Sequence, residues 1–259
     1  MHYCQTLIFL LLLPCLLFGQ HQLKKKSEDI TQPKRISFGL HLGLSSSDIS
    51  ANRIAFPETR VDLSQLDRQR ATNGRFGLLL VFHLSEDYGL ETGLIYEKLG
   101  LKAKGLYDLA LMEYNLKSTS STHFSYEYLV IPLLFKRNLP LQEKMHLSFQ
   151  VGPYLGLLQS TSYGFEVTDL VMNPDGSFRE SMRKVGISLD DFSRKLDVGL
   201  QLQAGVERSI SETASLFTYA YYSRGLRSVD DFSEANLEGA SDGMNRVWGL
   251  SLGGYFKMK

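Results

Sequence analysis

The chain has 259 residues, with 28 basic and 28 acidic side chains and a formal net charge of zero. That balance lacks the basic surplus a nucleic-acid binder would carry, so no nucleic-acid partner is expected. Its two cysteines, Cys4 and Cys15, lie in the first 15 residues, so a processed chain would hold neither a disulfide nor a thiolate metal site.

Residues 7–18 are almost continuously apolar, interrupted by Pro14 and Cys15, and are followed by Gly19 and Gln20. This is the apolar core and cleavage zone of a secretory signal peptide, too short for a transmembrane helix. We assign residues 1–20 to a cleaved signal. Cys15 follows Pro14 instead of the small residue a lipidated cysteine requires. Residues 21–34, with Lys24, Lys25 and Lys26, read as a flexible periplasmic leader, and residues 35–259 as the folded domain. No second long apolar run follows, which excludes a helical membrane protein but not a barrel, whose alternating strands average out.

Period-two segments then recur along the chain, as expected where successive side chains face opposite ways. The first covers residues 36–44, with Phe38, Leu40, Leu42 and Leu44 on one face and Ser37, Gly39, His41 and Gly43 on the other. Further strands are predicted at 75–84, 88–99, 124–136, 146–158, 196–207, 214–225 and 246–257. In 196–207 the even positions (Leu196, Val198, Leu200, Leu202, Ala204, Val206) are all apolar. The odd ones (Asp197, Gly199, Gln201, Gln203, Gly205, Glu207) are all polar or glycine. About a dozen residues is enough for a tilted strand to cross a bilayer.

Long connections (45–74, 100–123, 159–195, 226–245) alternate with short ones (85–87, 137–145, 208–213). Short periplasmic turns, long external loops and an even strand count define outer-membrane barrels. Tyr96, Tyr126, Tyr128, Tyr221 and Trp248 fall near the external strand ends, and Phe82, Phe135, Phe149, Phe217 and Phe256 near the periplasmic ends. These are expected to form two interfacial girdles. The glycines of the polar face should leave room for Tyr154, Tyr255, His41, His83, Gln201 and Gln203, making the lumen a packed plug. Pro132 predicts a bulge or kink, with Leu129, Ile131, Leu133 and Phe135 facing lipid and Val130 and Leu134 facing in. The fold class is therefore all-β: an eight-stranded antiparallel up-and-down transmembrane β-barrel preceded by a cleaved signal peptide.

The strand sequences also resemble a known family. Tyr128-Leu-Val-Ile-Pro-Leu-Leu-Phe-Lys136 is similar to the YLEIPLLLK strand of the Bacteroidota outer-membrane β-barrel family called PorT-like, with Val130 where that family carries an acid. Leu94–Tyr96, Val151–Gly156, Gly199–Glu207, Tyr222–Leu226 and Leu252–Lys257 are similar to its other strands in order, so that the resemblance covers residues 36–257. It implies an eight-stranded barrel in the outer membrane of a Bacteroidota-type bacterium. The family's namesake belongs to a type IX secretion and gliding system, but a shared fold does not transfer that role.

Charged and polar residues on the inward face form the best-defined constellation: Arg75, Glu91, Glu97, Asp197, Gln201, Gln203, Glu207 and Arg224. Arg75 should oppose Glu97, Asp197 and Arg224 should lie at a similar height, and Glu91 and Glu207 should sit nearer the periplasm. Charges in a narrow lumen need partners, so these residues are read as a structural network, with a gated ion path as the alternative. Two His-x-Ser triplets, His123–Ser125 and His146–Ser148, resemble parts of a lipid hydrolase, but no orienting acid is evident for His123. The repeated Asp-Asp-Phe-Ser at 190–193 and 230–233, with Asp175-Gly176, reads as solvated loop, against a weaker reading as divalent-cation sites. No catalytic, cofactor or metal residue is assigned.

The expected protein is a small, non-enzymatic outer-membrane barrel that acts through its external loops or docks to an envelope machine. Outer-membrane lipid and lipopolysaccharide are the expected surroundings, and type IX or other envelope proteins the candidate partners. The alternatives are a membrane-embedded lipid-modifying enzyme and a soluble lipocalin-like carrier, which would reverse the two faces.

Overall fold

The computed structural model describes residues 36–50, 53–55, 60–62, 67–111, 114–172, 177–188, 193–229 and 243–258. The predicted signal, the leader and most of the acidic loop motifs lie outside them. The described strands are β1 (Ile36–Ile49), β2 (Arg53–Ala55), β3 (Arg60–Asp62), β4 (Asp67–His83), β5 (Tyr88–Leu111), β6 (Tyr114–Gln142), β7 (Met145–Met172), β8 (Phe178–Ser188), β9 (Leu196–Ser209), β10 (Ala214–Gly225) and β11 (Asn245–Lys257). No described helix is long and apolar enough to cross a membrane.

Eight strands form a ring in the order β1, β4, β5, β6, β7, β9, β10, β11, each antiparallel to its neighbours. The ring closes where β1 meets β11, from Ser37 opposite Lys257 to Ile49 opposite Asn245. Closure removes the sheet edges that a bilayer cannot solvate. Alternation decides the faces. Leu40, Leu42, Leu44, Leu200, Leu202, Leu250 and Leu252 project outward and are about half exposed or more, while Ser37, His41, Ser45, Gln201, Gln203 and Ser251 are buried inside.

Two of the short turns share one local solution. In Leu84-Ser85-Glu86-Asp87 the Ser85 hydroxyl accepts from the amides of Asp87 and Tyr88 at 3.3 and 3.1 Å. In Ile210-Ser211-Glu212-Thr213 the Ser211 hydroxyl accepts from Thr213 and Ala214 at 3.3 and 3.0 Å. A serine hydroxyl that satisfies turn amides fixes the hairpin register beneath it.

Several expectations are corrected. Much of the predicted loops at 100–123 and 159–195 is strand: β5 pairs with β6 as far as Leu111 opposite Tyr114, and β7 pairs with β8 from Ser162–Ser188 to Met172–Phe178. A two-stranded hairpin, β2–β3, occupies part of 45–74. Pro132 makes no bulge. Pairing registers continue unchanged on both sides of it, although the β5 ladder lapses there, and the two shifts on the β7 side fall elsewhere, between Glu127 and Tyr128 and between Pro140 and Gln142. The aromatic girdles are only partly present. Phe82, Phe135, Phe149, Trp248 and Phe256 face outward, but Tyr126, Tyr128, Phe217 and Tyr221 are buried in the interior.

Candidate functional site

The lumen is the most elaborate polar site in the described structure. Among the described residues its buried charges are two cations, Arg75 and Lys136, and four carboxylates, Glu91, Glu97, Asp197 and Glu207. They form two groups at different heights.

The group nearer the long hairpins is built on β4, β5, β10, β9, β7 and β11. Arg75 and Glu97 are cross-strand partners, both buried, with Nη1 and Oε1 3.6 Å apart. The Arg75 guanidinium lies 3.9 Å from the centre of the Tyr221 ring, and the Tyr221 hydroxyl donates to Glu97 at 2.9 Å. Ring face, hydroxyl and carboxylate together offset the desolvation of both charges. Among the described residues no cation is in ion-pair contact with Asp197. Its Oδ2 accepts from the Tyr154 hydroxyl at 3.1 Å and the Asn245 amide at 3.0 Å. A small cavity of about one water in size lies between the Glu97 and Asp197 sites, bounded also by Tyr128, Gln201 and Ser223.

Glycines position these tyrosines. A side chain at Gly249 would put its Cβ 2.3 Å from the Tyr221 ring, and one at Gly199 would meet the Tyr154 ring at 2.3 Å. Each ring lies flat on a strand position with no Cβ, which carries its hydroxyl across the lumen to an acid.

The second group lies toward the short turns. Lys136 forms a short ion pair with Glu207, and the Tyr219 hydroxyl donates to the same carboxylate. The Lys136 ammonium sits 4.3 Å from the centre of the Tyr255 ring. Tyr255 donates to Glu91 at 2.6 Å, Gln150 donates to Glu91 at 3.2 Å, and Gln203 donates to Gln150 at 3.3 Å. Six strands thus contribute to a continuous chain of partners.

The structure places Arg75, Glu91, Glu97, Asp197, Gln201, Gln203 and Glu207 in the lumen. Arg224 is a correction: it is exposed on the outer face, because β10 buries Phe217, Tyr219, Tyr221 and Ser223 and turns Leu216, Thr218, Ala220 and Arg224 outward. Lys136, Gln150, Tyr219 and Asn245 are network members that the sequence reading did not single out. Lys136 was recoverable, since Val130 and Leu134 facing inward puts position 136 on the same face.

Neither His-x-Ser triplet is assembled. His123 is exposed while Ser125 is buried, and no hydrogen bond joins His146 to Ser148 among the described residues. Glu207 lies opposite His146 in register but is engaged by Lys136 and Tyr219. No described cluster of three or more His, Cys, Asp or Glu residues could hold a metal.

A closed ring of eight strands, greasy outside and charged within, defines an integral outer-membrane β-barrel. The chain belongs to the outer membrane protein beta-barrel domain family, whose model matches residues 18–231, and the protein is accordingly one of the outer membrane. No curated protein matches the sequence. Among solved structures, it is similar to OprG from Pseudomonas aeruginosa (13% identity, TM-score 0.40, covering 89% of this chain and 99% of that one). It is also similar to Ail, the attachment invasion locus protein of Yersinia pestis (11%, 0.34, 88% and 100%), and to the outer membrane protease OmpT from Escherichia coli (12%, 0.36, 90% and 100%).

Proposed function

We propose that this protein is a non-enzymatic barrel that holds the β5–β6 and β7–β8 hairpins outside the membrane for binding to another envelope component. The observation that carries the reading is the continuation of β5 and β6 as paired sheet as far as Leu111 opposite Tyr114, and of β7 and β8 as far as Met172 opposite Phe178. From Glu97 to Leu111, β5 alone adds about 45 Å of strand at roughly 3.3 Å per residue. A membrane anchor has no need of such an extension, whereas recognition is commonly carried on segments held by a rigid scaffold. The packed lumen supports a scaffold role over a conduit. The unassembled His-x-Ser triplets disfavour the lipid-modifying enzyme.

The PorT-like strand motifs favour docking to a type IX or related envelope machine as the form this binding takes. A photo-crosslinker placed at Met182 on β8, which is 60% exposed, in cells carrying the full chain, tests the reading. A discrete protein adduct from Met182, absent from Arg208 at the opposite end of the barrel on β9, is expected, and its components would reveal whether the machine is type IX. Adducts confined to Arg208 would overturn the role of the hairpins. Turnover of a labelled phospholipid by the purified protein, abolished in His146→Ala, would overturn the non-enzymatic reading.

A further inference from the structure

Arg224 and Arg246 are Cα partners across β10 and β11, both on the outer face and both exposed. Like charges directly opposite each other on a sheet repel, so an uncompensated pair is unfavourable. No ion pair engages either one among the described residues. The acid beside Arg246 is Asp48, its partner on β1, and Asp48 is held by Arg68 at 3.0 Å. On its other side Arg224 is opposite Leu200, an outward leucine 47% exposed to the surrounding lipid. On β1 and β11 the outward apolar side chains end just below this level, at Leu44 and Trp248, while on β10 the exposed Leu226 lies beyond it.

One outward step toward the bilayer lie Tyr222 and Trp248, also cross-strand partners, with ring centroids 4.3 Å apart. Such amphipathic rings mark the boundary between acyl chains and headgroups. Below them Leu250 and Leu252 project into the acyl region. The column from Leu252 to Arg246 thus presents, in order, an acyl-chain surface, an aromatic shelf and two guanidinium groups. Directly opposed residues have Cβ atoms about 5 Å apart, so two long arginine side chains can close on one tetrahedral dianion. Guanidinium forks match phosphate oxygens bidentately, and a shared anion turns their repulsion into a chelate.

We infer that Arg224 and Arg246 form a binding site for the phosphate of an anionic outer-leaflet glycolipid, its acyl chains packing against Trp248 and Leu250. The site lies on the membrane wall and is independent of the binding proposed for the hairpins. It also gives Arg224 a role that its place outside the lumen would otherwise leave unexplained.

The test uses the full-length protein in lipid nanodiscs, titrated with bisphosphorylated lipid A and with the same lipid stripped of phosphate. Variants are Arg224→Gln/Arg246→Gln, the charge-retaining Arg224→Lys/Arg246→Lys, and Arg208→Gln at the opposite rim, with folding checked by heat-modifiable gel migration. The expected result is at least tenfold tighter binding of the phosphorylated lipid by the wild type, as two charge-assisted hydrogen bonds would supply. That preference should be lost in the double glutamine variant, partly kept in the double lysine variant and unchanged in Arg208→Gln. Equal wild-type affinity for the two lipids, or an unaltered preference in a folded double glutamine variant, would overturn the site. Competition by inorganic phosphate as strong as that by the phosphorylated lipid would overturn its assignment to a membrane lipid.

Discussion

Replacing Lys136 by methionine removes the ammonium and keeps most of the side-chain volume. In the native lumen that ammonium pairs with Glu207, faces the Tyr255 ring at 4.3 Å and lies within electrostatic reach of Glu91. The side chain is 2% exposed. The variant would leave two carboxylates in a closed interior with hydrogen bonds from Tyr219, Tyr255 and Gln150 but no described cation in ion-pair contact, Arg75 acting on Glu91 only at longer range. Removing one partner of a buried pair costs about 3–5 kcal/mol, because the remaining charge stays desolvated. The expected loss of stability for Lys136→Met is about that size, measured by reversible urea unfolding into lipid vesicles. Glu207→Gln should cost less, since Lys136 retains Glu91. The Lys136→Met/Glu207→Gln double variant should be more stable than Lys136→Met alone, with a coupling of about 1–3 kcal/mol. A Lys136→Met penalty under about 1 kcal/mol, or strictly additive effects in the double variant, would refute the network as a set of mutually dependent charges.

Two further predictions follow from the walls of the barrel. Gly249→Val would drive a side chain into the Tyr221 ring and to within 2.5 Å of the Leu44 carbonyl at the Cβ itself; overpacking of about 3 kcal/mol or more is expected, seen as loss of the heat-modifiable band, whereas Ser251→Ala should fold normally. Leu252→Arg places a charge on the lipid face and should destabilise the barrel by about 2–4 kcal/mol in vesicles, while Leu84→Arg, beyond the strand end at the turn rim, should cost less than about 1 kcal/mol.

Alternation made the ring legible in the sequence because, within a bilayer, one face of each strand meets lipid and the other meets a polar lumen. Residues 196–207 read correctly for that reason. Where β5 to β8 pass beyond the membrane that contrast ends, and 100–123 and 159–195 looked like loops although they are largely paired strand. On β10 the contrast inverts. Phe217, Tyr219 and Tyr221 fill the lumen while Thr218 and Ala220 face out, so the inward face is the greasier one and Arg224 was read with the wrong phase. The Arg75–Glu97 opposition could be counted back from the short turn at 85–87, whereas the Lys136–Glu207 contact joins β6 to β9 across the lumen and needed the ring itself.

The claim on which the rest depends is that alternate residues of β9 face lipid and lumen. Spin labels placed singly from position 196 to 207 in the full-length protein, reconstituted in vesicles, measure it through relaxation by oxygen and by a polar nickel chelate. The account predicts high oxygen accessibility at 198, 200, 202, 204 and 206, with positions 199, 201, 203 and 205 shielded from both reagents. Loss of the two-residue period, or greater access for the nickel chelate than for oxygen at 200 and 202, would contradict it.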